Sequence, residues 1–318
     1  MKDNRCDERF VDVSAESVMN LKPTRSSFED VSLLRIIGTG SFGKVYFSLW
    51  SGAPVAVKVM VIDSPDAEGT YVFEASLSTK LMHPNLVQTF NYSTMACEPM
   101  VGGGSESLCQ NVHDGQSSMV HLWIVQEWCD GGTLRQYCDR PRCADVERVL
   151  DIMLEIAGAG VYLHNRGVIH GDLTGSNVLL KKQALRKGFV CKVGDFGLSQ
   201  VLAGDSESVV TGRMGTVTHM PPELFDVNGG KAEMTTKADV YALGVLLWQC
   251  LTGEEPFEGF TPPQIVLEVA GGTRLQLPPT VPSSVAEFYS HLTEAQPCER
   301  PTFEEALADI ATLLNETS

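Results

Sequence analysis

The sequence predicts an α+β fold in two lobes, with strands gathered in the first and helices in the second. Its 318 residues exceed what one hydrophobic core usually fills. Runs rich in β-branched residues crowd the stretch up to Glu127, and apolar residues at helical spacing dominate the remainder. Gly131-Gly132 marks a break between the two.

Residues 1–27 are polar and irregular and read as a tail. The pattern changes at Phe28, so 28–128 reads as the strand-rich lobe and 129–316 as the helical one. Leu33–Ile37, Val45–Leu49 and Val55–Val61 read as strands. Ala67–Met82 reads as a helix stopped by His83-Pro84, and Leu86–Phe90 and His121–Glu127 as two further strands. Ser93–Met119, rich in Gly, Ser and Cys, is longer than loops of compact domains usually are and reads as a flexible insertion. Val146–Asn165 carries Val149, Leu150, Met153, Ile156 and Ala157 at helical spacing and stops at Gly167. Short strands are expected around Val178–Leu180 and Val190–Val193, and an irregular segment over Ser199–Met220. Helices are expected over Thr236–Leu251, Pro262–Val269, Ser284–Glu294 and Thr302–Leu314.

Lysine and arginine total 24 against 40 acidic residues, a net charge of −16. That balance argues against nonspecific nucleic-acid binding and against an anionic membrane surface. The nine cysteines include no CxxC pair, which leaves a zinc ribbon or thioredoxin-type site without support and suits reduced thiols in the cytoplasm. The N-terminus lacks the apolar stretch of a secretory signal. The longest apolar run, near Val240–Leu251, includes Gln249 and is too short to span a bilayer. A cytoplasmic protein with no membrane segment is the expectation.

Several short patterns carry chemistry. Gly38-Thr39-Gly40-Ser41-Phe42-Gly43 is a GxGxxG pattern between two strand-like runs, compatible with a plain glycine hairpin or with backbone amides cradling phosphates. A strand follows it, not a helix, so a dinucleotide fold loses its required context. Lys44 is followed by Val45, so a Walker pattern fails as well. Lys58 ends the run Val55-Ala56-Val57-Lys58, and Glu74 lies on the next helix. Separately they read as an edge lysine and a solvated carboxylate; together they read as a phosphate-steering cation and the anion that holds it. Asp172 and Asn177, five residues apart in His170-Gly171-Asp172-Leu173-Thr174-Gly175-Ser176-Asn177, can face one site as proton acceptor and magnesium ligand. Asp195, in Gly194-Asp195-Phe196-Gly197, offers a second metal carboxylate.

The order and spacing of these elements resemble the catalytic domain of eukaryotic protein kinases, most similarly the tyrosine-kinase-like group, over about Phe28 to Leu314. The resemblance implies a bilobal kinase-like fold, with a small antiparallel sheet and one main helix before a larger helical lobe. It implies ATP and Mg²⁺ as cofactors and protein substrates bearing serine or threonine. Ile37, Gly38, Gly40 and Gly43 would cover the nucleotide, and Lys58 would pair with Glu74. Val45, Ala56 and Leu179 would sandwich the adenine, Gln126 would stand at the gatekeeper position, and the backbone of Glu127 and Cys129 would bind the adenine edge. Asp172 would be the base, and Asn177 and Asp195 would hold Mg²⁺. Glu223 would pair with Arg300, and Asp239 would brace the catalytic loop; these are structural roles.

Departures from the family pattern are informative. Gly171 replaces the arginine that normally receives a phosphate from the activation segment, where Ser206, Ser208 and Thr211 remain available. Thr174 replaces the lysine of serine/threonine kinases that touches the transferred phosphate, and its loss should slow transfer. Ser78 and Thr89 put polar groups into the family's internal hydrophobic spine, which should weaken the hold on Glu74 and leaves room for an activating partner. Gly215-Thr216-Val217-Thr218-His219-Met220 resembles the serine/threonine segment, in which a threonine bonds the catalytic aspartate. The expected activity is therefore serine/threonine phosphorylation, with an ATP-binding scaffold lacking transfer as the alternative and dual specificity left open.

Overall fold

The computed structural model describes residues 28, 30–40, 43–97, 119–138, 145–183, 188–204, 206–213, 215–225 and 231–317. The first lobe is a five-stranded antiparallel sheet of order β1-β2-β3-β5-β4. Its strands are β1 (Val31–Gly40), β2 (Gly43–Trp50), β3 (Ala53–Ile62), β4 (Thr89–Cys97) and β5 (Met119–Glu127). Side chains alternate across the sheet. Val55, Val57 and Val59 pack with Tyr46 and Val125 on one face, under Phe28, which stacks on Trp123 and meets Trp50 edge-on. Met60, Leu122 and Ile124 face the other way onto Ala75 of helix α1 (Pro65–Lys80). Lys58 shares the parity of Met60, so period two alone aims it at that helix. Ser64 caps α1 by accepting from the Ala67 N–H at 3.2 Å, and Pro65 stands in the first turn, where a missing N–H costs nothing.

Two expected boundaries shift. Residues 86–88 are not strand: Val87 donates to the Val193 carbonyl and Val193 to that of Asn85, and β4 begins only at Thr89. It then runs through Ser93 to Cys97, paired with Trp123 back to Met119, so the stretch read as an insertion starts as ladder. Residues 98–118 of that stretch and the tail 1–27 lie outside the described residues.

The second lobe packs around α3 (Val146–His164) and α4 (Lys237–Thr252). Every residue of α4 from Ala238 to Leu251 is buried, which explains an apolar run without amphipathic relief. Around them lie α2 (Leu134–Cys138), α5 (Pro262–Ala270), α6 (Ser283–Leu292) and α7 (Phe303–Thr317). Helix α2 went unread because five residues are too few for a period to show. The segment expected to be irregular over 199–220 carries strands. β9 (Gln200–Val201) pairs with β6 (Val168–Ile169), and β10 (Ser208–Thr211) pairs with β11 (Ala232–Thr235). Their partners are distant in sequence, so local pattern does not announce them. β7 (Val178–Gln183) and β8 (Gly188–Val193) form the expected hairpin. No helix among the described residues is long and apolar enough to cross a membrane.

Candidate active site

The site lies between the lobes. Lys58 Nζ donates to Glu74 Oε1 at 2.6 Å and to Asp195 Oδ1 at 2.9 Å, which joins β3, α1 and the segment after β8 at one ammonium group. Burial works against the lysine charge, but the two carboxylates outweigh it and raise the Lys58 pKa. Asp195 is also penalised by burial, and Lys58 overcomes this and lowers its pKa. Asp195 sits at φ 63°, an uncommon backbone region for a non-glycine residue, and such geometry clusters at functional sites.

The loop that carries Asp172 supplies the second group. Asn177 Nδ2 donates to Asp172 at both the carbonyl oxygen (2.8 Å) and Oδ2 (2.9 Å). Asp172 Oδ1 accepts from the Thr216 N–H at 2.7 Å and from Thr216 Oγ1 at 2.8 Å. The loop hangs from Asp239 of α4, which accepts from His164 Nε2 at 2.9 Å, the His170 N–H at 2.8 Å and the Gly171 N–H at 2.9 Å. Those bonds hold a fully buried Asp239 carboxylate ionised, against the cost of its burial. Arg300, with no exposed side-chain surface, forms a two-pronged pair with Glu223, both bonds at 2.7 Å.

The residues that the resemblance assigns to covering the nucleotide and enclosing the adenine are spread over four strands. Ile37, Gly38 and Gly40 lie on β1, Gly43 and Val45 on β2, a buried Ala56 on β3 and Leu179 on β7. Gly43 adopts φ +147°, and a Cβ there would lie 2.2 Å from the Val59 carbonyl oxygen, so only glycine fits. A Cβ on Gly40 meets nothing within 4 Å, which leaves open space over the site. Gln126 Nε2 donates to Thr89 Oγ1 at 3.1 Å. The Glu127 N–H is taken by the Gln88 carbonyl at 2.8 Å, so it is not available to an adenine edge. The Glu127 carboxylate is engaged by Lys181 and Lys192, which together lower its pKa despite burial. Cys129 has its thiol pushed up to about 12 by burial, so it is no nucleophile.

The donor set fits a magnesium nucleotide. With the Asn177 amide nitrogen committed to Asp172, its amide oxygen and the Asp195 carboxylate are hard oxygen donors of the kind magnesium takes. Magnesium prefers one or two such hard oxygens, with waters and substrate phosphates completing its shell. No cluster of three or more His, Cys, Asp or Glu occurs among the described residues.

The polar spine residues find local partners. Ser78 Oγ donates to the Ala75 carbonyl at 3.0 Å, and Thr89 accepts from Gln126, so neither is orphaned while Glu74 reaches Lys58. Thr174 is buried, with 5% of its surface exposed, and Gly171 adopts φ +77°. His219 was not singled out by its sequence context. It lies buried beside Asp172, its Nδ1 bonded to Thr218 Oγ1 at 2.9 Å and its Nε2 without a partner among the described residues.

Comparison with known proteins agrees with this geometry. The chain is 29% identical to human tyrosine-protein kinase FRK over 303 residues, which cover 92% of this chain and 52% of FRK. It is 28% identical to human tyrosine-protein kinase ABL2, covering 95% of this chain and 24% of ABL2. It is also 28% identical to the dual specificity protein kinase splA of Dictyostelium discoideum, covering 91% of this chain and 12% of splA. The chain thus spans about half the length of FRK and much less of the other two. The protein kinase domain family matches residues 31–310, nearly the whole described chain, and this protein belongs to that family.

Proposed function

We propose that this chain transfers the γ-phosphate of Mg-ATP to serine or threonine hydroxyls of protein substrates. Kinases of this family use ATP with Mg²⁺. The observation that carries the acceptor class is the pair of bonds from Thr216 to Asp172 Oδ1. They tie the segment that receives the substrate to the catalytic carboxylate, as the serine/threonine pattern implies.

In this reading Asp172 accepts the hydroxyl proton while Asn177 and Thr216 hold its carboxylate in place. Lys58, kept charged and oriented by Glu74, steers the α and β phosphates. Ile37, Gly38, Gly40 and Gly43 cover the nucleotide, and Val45, Ala56 and Leu179 enclose the adenine. Gln126 closes the back of the slot, and the Glu127 carbonyl and Cys129 N–H bind the adenine edge. Asn177 and Asp195 would hold Mg²⁺, which when bound would supply positive charge to offset that of the phosphates. A cytoplasmic location is part of the reading, supported by free thiols at Cys129, Cys138, Cys191, Cys250 and Cys298.

A tyrosine or dual acceptor is the second reading, favoured by the names of the relatives and by Thr174, which supplies no cation beside the acceptor. The test is transfer of labelled γ-phosphate followed by acid hydrolysis to the phosphoamino acids, with Asp172→Asn as control. Label on serine or threonine that vanishes in the control supports the first reading, and label on tyrosine replaces it with the second. No label, with Mg-ATP still bound, would mean a nucleotide-binding scaffold.

A further inference from the structure

We propose that Arg213 is a positioning residue for phosphoryl transfer: from the activation segment it holds α1 inward through the Thr70 hydroxyl and so keeps Glu74 on Lys58. The role rests on the kinase reading, but the contact behind it is geometric. Arg213 Nη2 donates to Thr70 Oγ1 at 2.5 Å, across 143 positions of sequence. Thr70 stands four residues before Glu74, on the same face of α1, so a restraint at Thr70 acts on the face that carries the ion pair.

At this end of the helix, among the described residues, only Tyr71 packs on the core of the lobe, beside the Ser64 cap. The buried residues of α1 run from Glu74 to Ser78, and its first turns are exposed or half-buried. Between those turns and the activation segment lies an open cavity of about 360 Å³, walled by Asp66, Thr70 and Tyr71 on one side and by Gly197, Leu198 and Arg213 on the other. Close apolar packing between the two elements is interrupted here, and the Arg213–Thr70 bond spans the gap.

The family's usual device is missing from the facing loop. Position 171 is glycine at φ +77°, and a Cβ there would lie 2.9 Å from the Leu198 carbonyl oxygen. No side-chain cation stands there to receive an activation-segment phosphate. Arg213 is the sole lysine or arginine between Asp195 and Glu223. Its backbone is anchored: the Arg213 N–H donates to Thr211 Oγ1 at 3.0 Å, and Thr211 ends β10, paired with Ala232 of β11. The polarity is thus inverted, with the cation on the segment and the neutral acceptor on the helix. The tie needs no phosphate.

The test compares Arg213→Ala, Arg213→Lys, Thr70→Val, Thr70→Ser and the double variant Arg213→Ala with Thr70→Val. Steady-state kinetics and hydrogen exchange at α1 amides are both read. Arg213→Ala and Thr70→Val are expected to lower kcat/KM for Mg-ATP about threefold to tenfold, the range for one solvent-exposed hydrogen bond of ordinary net strength. The double variant should be no worse than either single one, and Thr70→Ser and Arg213→Lys should recover most of the loss. The α1 amides should exchange faster in the two disabling variants. Unchanged exchange at α1, or losses that add in the double variant, would overturn the proposal. Because exchange is read without phosphotransfer, a chain that binds Mg-ATP but transfers nothing would sink the kinase reading while leaving the tie testable.

Discussion

Burial keeps His219 neutral, with its pKa lowered to about 4; the nearby Asp172 favours the charged form and Arg135 opposes it. In the unfolded chain the same imidazole titrates near 6.5. Above that pH both states are neutral and His219 contributes no pH dependence. As pH falls from 6.5 towards 4, the unfolded state takes up a proton that the folded state refuses, and stability is lost. The gap corresponds to roughly 3 kcal/mol. Replacing His219 by Gln should flatten this part of the profile, which urea unfolding at stepped pH would measure; an unchanged slope would place the acid sensitivity elsewhere. A lone histidine in a loop carries no sign of burial in its sequence, and only the closing of the segment over the catalytic loop makes it special. Asp172, Asn177 and Asp195 were legible because their chemistry depends on residue type and spacing within one short loop each.

At the scale of elements, the two glycines that bracket the first hairpin should separate fold from ligand. Gly43→Ala places a Cβ 2.2 Å from the Val59 carbonyl and should cost more than about 1 kcal/mol of stability. Gly40→Ala meets no protein atom, so it should leave the melting temperature of the free protein nearly unchanged while weakening Mg-ATP binding. Thermal melts with and without nucleotide check both. The Glu223–Arg300 pair makes a different demand. Glu223→Ala strands a buried guanidinium and should cost about 3–5 kcal/mol, whereas Glu223→Leu together with Arg300→Met should cost less. Denaturant midpoints of the two variants decide it. Strand β3 was readable because its richness in β-branched residues is local, and the pairing of β10 with β11 was not, since its hydrogen bonds join segments more than twenty residues apart.

For the molecule as a whole, nucleotide should act as a stabiliser. If Mg-ATP binds the folded chain alone, a concentration one hundred times its Kd adds about 2.7 kcal/mol. Asp195→Asn should remove the magnesium-dependent part of that shift, because a metal carboxylate is lost, while Asp172→Asn should leave most of it. Melting curves in ATP with Mg²⁺ and with a chelator distinguish these outcomes. Equal shifts in Asp195→Asn and the unaltered chain would remove Asp195 from the metal site.

The linear sequence by itself determined the family, the order of strands before helices, and the residue types of the candidate site, because glycine, lysine, carboxylate and amide chemistry is written in short local patterns. Only the tertiary structure decided which of these groups touch. Lys58 joins two carboxylates 16 and 137 positions away, Thr216 closes on Asp172, Gln126 satisfies the polar Thr89, and Arg213 reaches Thr70. Such contacts arise from packing two lobes and a folded-back segment around one cleft. Local periodicity holds no record of that, since the partners are brought together by burial of a shared core and not by their spacing along the chain.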